Sequence, residues 1–254
     1  MKQFVLPASF DGASSVVLDE KDTHYLKDVL RVKVGAELKC TAPDGSLWRG
    51  IVARFGDEGC KLELFTAGTG SEKAAVATSA STQVVLYQSL IKGKNMDLII
   101  RQAVESGVSS IVPVETEYSQ IRLKDFKNEK PERWQRIIKE AMQQSGTPIH
   151  TTVENVFKLE NIPPISEGEV GLFFHQCPME KRTIHQYLDG NFKKVSLFVG
   201  PEGGLSQKDI ETLEGKGFKP VYLGENILRA ETAALYATAI VKNLILEKET
   251  WQAK

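Results

Sequence analysis

Through the first 67 residues the apolar positions come in short runs with polar gaps, the spacing of strands. Ser14–Leu18, Glu37–Thr41, Leu47–Arg54 and Lys61–Phe65 are the strand candidates, and Asp44-Gly45 between two of them marks a hairpin turn. One stretch breaks the pattern. In His24-Tyr25-Leu26-Lys27-Asp28-Val29-Leu30-Arg31 the apolar Leu26, Val29 and Leu30 fall at helical spacing. That spacing puts Lys27 and Arg31 near one another, with Lys33 beyond. Residues 66–82 carry small and polar side chains with little to bury, which reads as a linker. From residue 83 strands alternate with helices. Strands are expected at Val84–Leu90, Ile111–Val114 and Val170–Phe174, the last leading into His175. Helices are expected at Met96–Glu105, ending at Gly107, at Pro131–Ser145, with proline first and Gly146 after, and around Lys181–Leu188. Such alternation predicts a mostly parallel sheet with helices on both faces.

The stretch Lys193–Glu231 concentrates the chemistry. Val195-Ser196-Leu197-Phe198-Val199 is nearly continuously apolar, as a strand covered on both faces must be. It stops at Gly200-Pro201-Glu202-Gly203-Gly204, where three glycines leave backbone groups open to a ligand. Ser206 is a candidate N-cap with Asp209 as its capping-box partner. A second strand, Val221-Tyr222-Leu223, meets Gly224-Glu225-Asn226 and then Ile227-Leu228-Arg229-Ala230-Glu231-Thr232. An alanine-rich helix follows to about Glu247. Two adjacent strand–loop–helix units open at their carboxyl ends are where an α/β sheet usually takes a ligand. Each part alone is equally compatible with plain architecture, since glycine turns commonly join a strand to a helix.

Composition narrows the class without naming it. The 254 residues suffice for one large or two ordinary domains, and 41% apolar with 26% charged residues is the balance of a soluble globular protein. The net charge of −1 announces no global affinity for nucleic acid, though a local basic face is compatible with it. Cys40, Cys60 and Cys177 are odd in number and lack zinc-ligand spacing, so they read as reduced, mostly buried thiols of a cytoplasmic chain, with no metal expected. No apolar run is long enough to span a membrane, and the start of the chain lacks the pattern of a signal peptide.

On these residues the chain resembles the RsmE family, methyltransferases of the SPOUT class specific for uracil N3 in small-subunit ribosomal RNA. Val199-Gly200-Pro201-Glu202-Gly203-Gly204-Leu205-Ser206 and Leu223-Gly224-Glu225-Asn226-Ile227-Leu228-Arg229-Ala230-Glu231-Thr232-Ala233 carry the resemblance most strongly. His24 with Val29-Leu30-Arg31, Gly35 and Asp44-Gly45, then Lys92-Gly93 through Glu105-Ser106-Gly107-Val108, and Gln144-Ser145-Gly146, extend it over nearly the whole chain. The resemblance implies a SPOUT-type α/β domain with a parallel sheet and a C-terminal trefoil knot at 83–254. It implies a PUA-like, RNA-binding β-barrel at 1–70, with 71–82 linking the two. It further implies S-adenosylmethionine (SAM) held in the knot, a homodimer packed across it, and 16S ribosomal RNA of the small subunit as partner. Three positions depart from the family's pattern. Arg101-Gln102 stands where Gln-Lys is usual, Tyr118 where Glu-Arg-Ser has arginine, and Thr147 where arginine commonly follows Ser-Gly.

The chemistry this implies assigns candidate roles. Adenosine is expected among Leu223, Gly224, Ile227 and Leu228, with Gly200, Glu202, Gly203 and Gly204 on the other side and Phe174 and His175 closing the pocket; Val199, Asn226 and Thr232 are further candidate cofactor contacts. Uracil N3 must lose its proton before it attacks, and the charge spreads onto O2 and O4. Arg229 is the candidate for holding that charge; the alternative is a salt bridge that anchors its loop. Glu231 and Glu202 are the carboxylates in range, and either is a candidate base, while both have structural alternatives in a helix dipole and a loop brace. His24, Lys27, Arg31 and Lys33, with Lys92, Lys94 and Arg101, are the expected RNA contacts. Two other readings compete: a SPOUT enzyme acting on another RNA atom such as a ribose oxygen, and a non-catalytic ribosome-assembly factor on the same fold. A dinucleotide-binding enzyme is disfavoured, since no G-x-G-x-x-G follows a strand.

Overall fold

A computed structural model describes residues 2–66, 82–126, 131–176 and 183–251. Its contacts divide the chain into two compact units, Met1–Ser79 with Met142–His150, and Ala80–Ala141 with Thr151–Lys254. The expected linker at 71–82 and Cys177 lie outside the described residues, apart from Thr82.

The first unit holds β1 (Lys2–Val5), β2 (Ser15–Val17), α1 (Glu20–His24), β3 (Glu37–Thr41), β4 (Leu47–Gly56) and β5 (Gly59–Thr66). They form a five-stranded sheet in the order β1-β3-β4-β5-β2, antiparallel except where β1 runs parallel to β3. The Asp44-Gly45 turn joins β3 to β4, and the Asp44 carboxylate accepts from the Ser46 amide at 2.9 Å. β1 has no signal of its own in the sequence; four residues become a strand only because β3 offers an open edge. Phe4, Leu18, Leu26, Leu38, Val52 and Leu62 fill the core with Cys40 and Cys60.

The helical segment of this unit departs from the sequence reading in an informative way. Asp19 caps α1 by accepting from the Asp22 amide at 2.7 Å. The next turn, Tyr25–Val29, is π-helical, and the Leu30 amide donates to the Tyr25 carbonyl five residues back at 2.8 Å. A turn this wide carries more than 3.6 residues, so ordinary helical spacing no longer predicts the buried face. Leu26 is buried as expected, but Val29 is 59% exposed.

The second unit contains β6 (Gln83–Ser89), α2 (Gly93–Glu105), β7 (Ser110–Glu115), α3 (Leu123–Phe126), α4 (Pro131–Ser145), β8 (Thr152–Val153), β9 (Phe157–Lys158) and β10 (Glu169–His175). It continues through α5 (Ile184–Tyr187), β11 (Lys194–Val199), α6 (Gln207–Gly215), β12 (Lys219–Tyr222) and α7 (Ala230–Leu246), the last four residues of α4 grouping by contacts with the first unit. The sheet is seven-stranded and its pairings are parallel, in the order β12-β10-β11-β6-β7-β8 with β9 also on β7. α2 begins at Gly93, earlier than its apolar pattern, and buries Met96, Ile99, Ile100, Ala103 and Val104, one stripe at i, i+3, i+4, i+7 and i+8. Helix α7 packs on α2, β6 and β11, and its small buried residues Ala230, Ala234 and Ala237 allow close approach. Tyr87, Phe173, Phe198 and Phe218 join Ile210 and Leu213 of α6 in another cluster, with the Phe198 and Phe218 rings edge to face at 6.2 Å.

One correction bears directly on the site. The two glycine-bearing units are consecutive in the chain but not neighbours in the sheet, because β10 lies between β11 and β12. After β11 the chain passes β10 and adds β12 on its far side.

Burial decides the state of two thiols. It pushes the Cys40 thiol up to about 12 and the Cys60 thiol up to about 11, so the reactive thiolate is scarce at neutral pH. We expect iodoacetamide at pH 8 to leave both unmodified in the native protein and to label both after unfolding, as read by peptide mass spectrometry.

Candidate active site

Three parallel strands end at one rim, and the site is built from their last residues and the loops beyond them. Phe174 and His175 close β10, Val199 closes β11, and Leu223 comes directly after β12. With β10 in the middle, the two glycine loops stand two strand spacings apart, about 10 Å. The end of β10 is the floor of the gap and the loops are its walls. Phe174, His175, Val199, Gly200, Glu202, Gly204, Leu223, Asn226, Ile227 and Leu228 line the resulting cleft. Gln176, Pro201, Leu205, Ala230 and Ala233 line it as well and were not singled out as contacts from the sequence. Pro201 and Leu205 lie inside the glycine loop, so proximity in the chain was a usable signal for them. Nothing local marks Ala233, which reaches the cleft only because α7 starts beside it.

The enclosed part of the cleft measures about 100 Å³. It opens to solvent past Glu202, Asn226 and Ile227, which are all exposed. Its walls combine apolar side chains with bare backbone. Gly204 has φ +75° and Gly224 φ +121°, a conformation that favours glycine, and a Cβ at either would meet open space. Glycine here holds the bend and keeps main-chain groups uncovered. Gly203, also expected in the site, instead backs onto Tyr118: a Cβ on Gly203 would lie 3.2 Å from the Tyr118 Cβ.

The glycine loop is held from its far end. Ser206 caps α6, its hydroxyl accepting from the Asp209 amide at 3.1 Å while the Asp209 carboxylate accepts from the Ser206 amide at 3.1 Å. The same carboxylate accepts from the Glu117 amide at 3.3 Å, tying the loop after β7 to this helix start.

Gly224, Arg229, Glu231 and Thr232 belong to the second loop and the start of α7 but are not among the cleft-lining residues. Arg229 is the N-cap residue of α7, is exposed and makes no ion pair among the described residues. Glu231 lies in the first turn of α7, and its Oε2 is buried without a hydrogen-bond partner among the described residues. Glu202 is exposed at the mouth of the cleft.

The expected RNA contacts fall in both units. In the first, His24, Lys27, Arg31 and Lys33 are all exposed, and His24 Nδ1 lies 2.7 Å from the Asp28 carboxylate. Arg31 has φ +52°, a position that ends the helical turn and that glycine normally occupies. In the second, Lys92 sits at the N-cap position of α2, and Lys94 and Arg101 are exposed on that helix.

Replacing Ser206 with alanine removes a buried cap and should cost about 1 kcal/mol of stability. Urea unfolding followed by circular dichroism checks this, and Gln207→Ala, one residue into the helix, should change the midpoint far less.

Comparison with known proteins matches two family models, an RNA methyltransferase domain over residues 78–242 and an RNA methyltransferase PUA domain over residues 18–65. Ribosomal RNA small subunit methyltransferase E of Aquifex aeolicus is 36% identical over 161 residues, which cover 63% of this chain and 68% of the relative. Ribosomal RNA small subunit methyltransferase E 2 of Borreliella burgdorferi is 31% identical over 251 residues, covering 96% and 98%. A crystal structure of the Neisseria gonorrhoeae ribosomal RNA small subunit methyltransferase E bound to S-adenosyl methionine superposes with a TM-score of 0.77 at 25% identity, over 96% of this chain and 98% of that one.

Proposed function

The chain belongs to the ribosomal RNA small subunit methyltransferase E family, and from that premise we propose that it transfers a methyl group from SAM to N3 of a specific uridine in 16S ribosomal RNA. The observation that carries the reading is the cleft at the ends of β10, β11 and β12, walled by two bare glycine loops beside an arginine with no ion pair among the described residues. Its lining suits a nucleoside with an amino-acid tail. Phe174, Val199, Leu205, Leu223, Ile227 and Leu228 offer apolar surface to a purine ring, and the loop backbones offer donors and acceptors without bulk. Gly204, Asn226, Glu202 and His175 are the polar side of the same pocket, and Gly203, Gly224 and Thr232 belong to the loops and helix start around it. SAM, when bound, supplies an electrophilic methyl group on a sulfonium.

The acceptor needs help from this chain's own residues. N3 must give up its proton, and Glu231 or Glu202 takes it. Glu231 has an oxygen with no donor to satisfy it among the described residues, and Glu202 stands at the mouth. Arg229, without an ion-pair partner of its own among the described residues, faces the charge left on O2 and O4. Much of the remaining acceleration is alignment, which the rigid strand ends provide. A stacked uracil hides N3, so the target base is single-stranded or turned out of its stack.

The same reading makes residues 1–70 a PUA-like β-barrel that grips RNA, and makes 71–82 its link to the methyltransferase domain at 83–254. Exposed Lys27, Arg31 and Lys33 next to exposed Val29 and Val34 support it, a basic surface with apolar interruptions. Lys92, Lys94 and Arg101 extend the contact on the second unit. The crossover from β11 past β10 to β12, followed by the return of α7 to β6, supports a trefoil knot. Leu235, Tyr236 and Leu246 leave an exposed apolar row on α7, which a second copy in a homodimer covers. We place the enzyme in the cytoplasm with the ribosomal subunits it acts on; no helix among the described residues is long and apolar enough to cross a membrane.

Incubation with labelled SAM and unmodified small ribosomal subunits, followed by nucleoside mass spectrometry, tests the reading. N3-methyluridine is the expected product; methylated ribose, or SAM binding without transfer, replaces it with one of the competing readings. Arg229→Ala should lower kcat by about 100-fold or more with SAM affinity by calorimetry unchanged. Arg31→Gly separates stability from function. Relief of the left-handed backbone should stabilise the protein by about 1 kcal/mol, while loss of a phosphate contact should weaken RNA binding and flatten its salt dependence.

A further inference from the structure

The turn after β7 carries a side chain that neither the fold nor the cofactor cleft accounts for. Thr116–Ser119 is fastened on every side. The Ser119 amide donates to the Thr116 carbonyl at 3.1 Å, the Thr116 amide donates to Ser119 Oγ at 3.0 Å, and the Glu117 amide donates to Asp209 at 3.3 Å. The Arg122 guanidinium donates to the carbonyls of Thr116 at 3.4 Å and Glu117 at 3.2 Å. Thr116 and Ser119 are buried, yet Tyr118 between them is 50% exposed. Its Cβ rests against Gly203, in the loop whose neighbours Glu202 and Gly204 line the cleft. A large aromatic side chain is therefore mounted on a rigid turn at the edge of the cleft, with half its surface in water.

We propose that Tyr118 binds the substrate by stacking its ring on the base that is to be methylated or on the base next to it. This rests on the RNA methyltransferase reading of the same cleft. A base drawn out of its stack loses its neighbours' faces, and an aromatic side chain replaces one of them. Stacking suits this position because it needs a flat, exposed, already ordered surface, and the turn has met the ordering cost in advance. It also explains why the ring is not buried, although Thr116 and Ser119 of the same turn are. The close approach of Gly203 to Tyr118 couples the base platform to the wall of the cofactor cleft. Ring position and methyl position are thus set by one loop.

The test compares Tyr118→Ala and Tyr118→Phe with wild type in methyl transfer to unmodified small ribosomal subunits. The ring face is kept by phenylalanine and lost by alanine. Tyr118→Ala should lose about tenfold or more in kcat/KM, Tyr118→Phe should stay within about twofold of wild type, and SAM affinity should be the same in all three. A Tyr118→Ala protein with wild-type kcat/KM overturns the proposal. So does a parallel loss in Tyr118→Phe, which would assign the effect to the hydroxyl, or a parallel loss of SAM affinity, which would make the ring a brace for the loop. A second readout needs no turnover. A single-stranded oligonucleotide with a fluorescent base analogue, bound in the presence of S-adenosylhomocysteine, should be quenched by wild type and Tyr118→Phe but not by Tyr118→Ala. If wild type transfers no methyl, the activity reading fails and this quenching alone decides the stacking; equal quenching by Tyr118→Ala, or none by wild type, overturns it.

Discussion

The width of one strand governs the catalytic unit. β10 runs between β11 and β12, so the loops after those two strands are held apart by two inter-strand spacings. Were the strands neighbours, the Gly200–Gly204 and Gly224–Arg229 loops would meet and close the gap. Were they further apart, one ligand would not touch both. Parallel hydrogen bonding on either side of β10 makes this separation stiff, because the register Phe174 to Val199 and Phe174 to Val221 fixes all three strand ends at one level.

That stiffness explains the distribution of small residues. Glycine at 204 and 224 costs conformational entropy in the unfolded chain. The cost is offset where the chain is most ordered, beside strand ends and capped helices. Ser206 and Asp209 anchor one loop to α6, and the same aspartate anchors the turn that presents Tyr118. One buried carboxylate thus holds both a wall of the cleft and the turn that carries the aromatic ring beside it. Alanines 230, 234 and 237 do the matching work on the other side, letting α7 start close to the cleft while packing on the sheet.

The two units place their backbone strain differently. In the second, positive φ is left to glycine among the described residues. In the first, Arg31 takes a left-handed conformation that costs about 1 kcal/mol relative to glycine. It comes after a π-helical turn that leaves Val29 in solvent. A strained arginine beside an exposed valine is a poor arrangement for stability, of the kind that collects at functional surfaces.

Periodicity and turn chemistry alone determined a great deal. The change from strand spacing to strand–helix alternation near residue 83 was legible, and so were the hairpin at Asp44-Gly45, the cap at Ser206 and both glycine loops, because each rests on interactions within a few residues. The family resemblance added the cofactor and the acceptor. What the linear pattern could not supply was anything set by residues far apart in the chain. β1 is a strand only because β3 accepts it. Val29 is exposed because a carbonyl bonds five residues on instead of four. The order β12-β10-β11 obeys no local rule, and it decides that Phe174 and His175 are the floor of the cleft. Tyr118 and Gly203 are 85 positions apart in the sequence and in contact in the fold. Local patterns encode elements because neighbouring residues share dihedral and hydrogen-bond constraints; the site is a relation between elements, and only packing of the whole unit settles it.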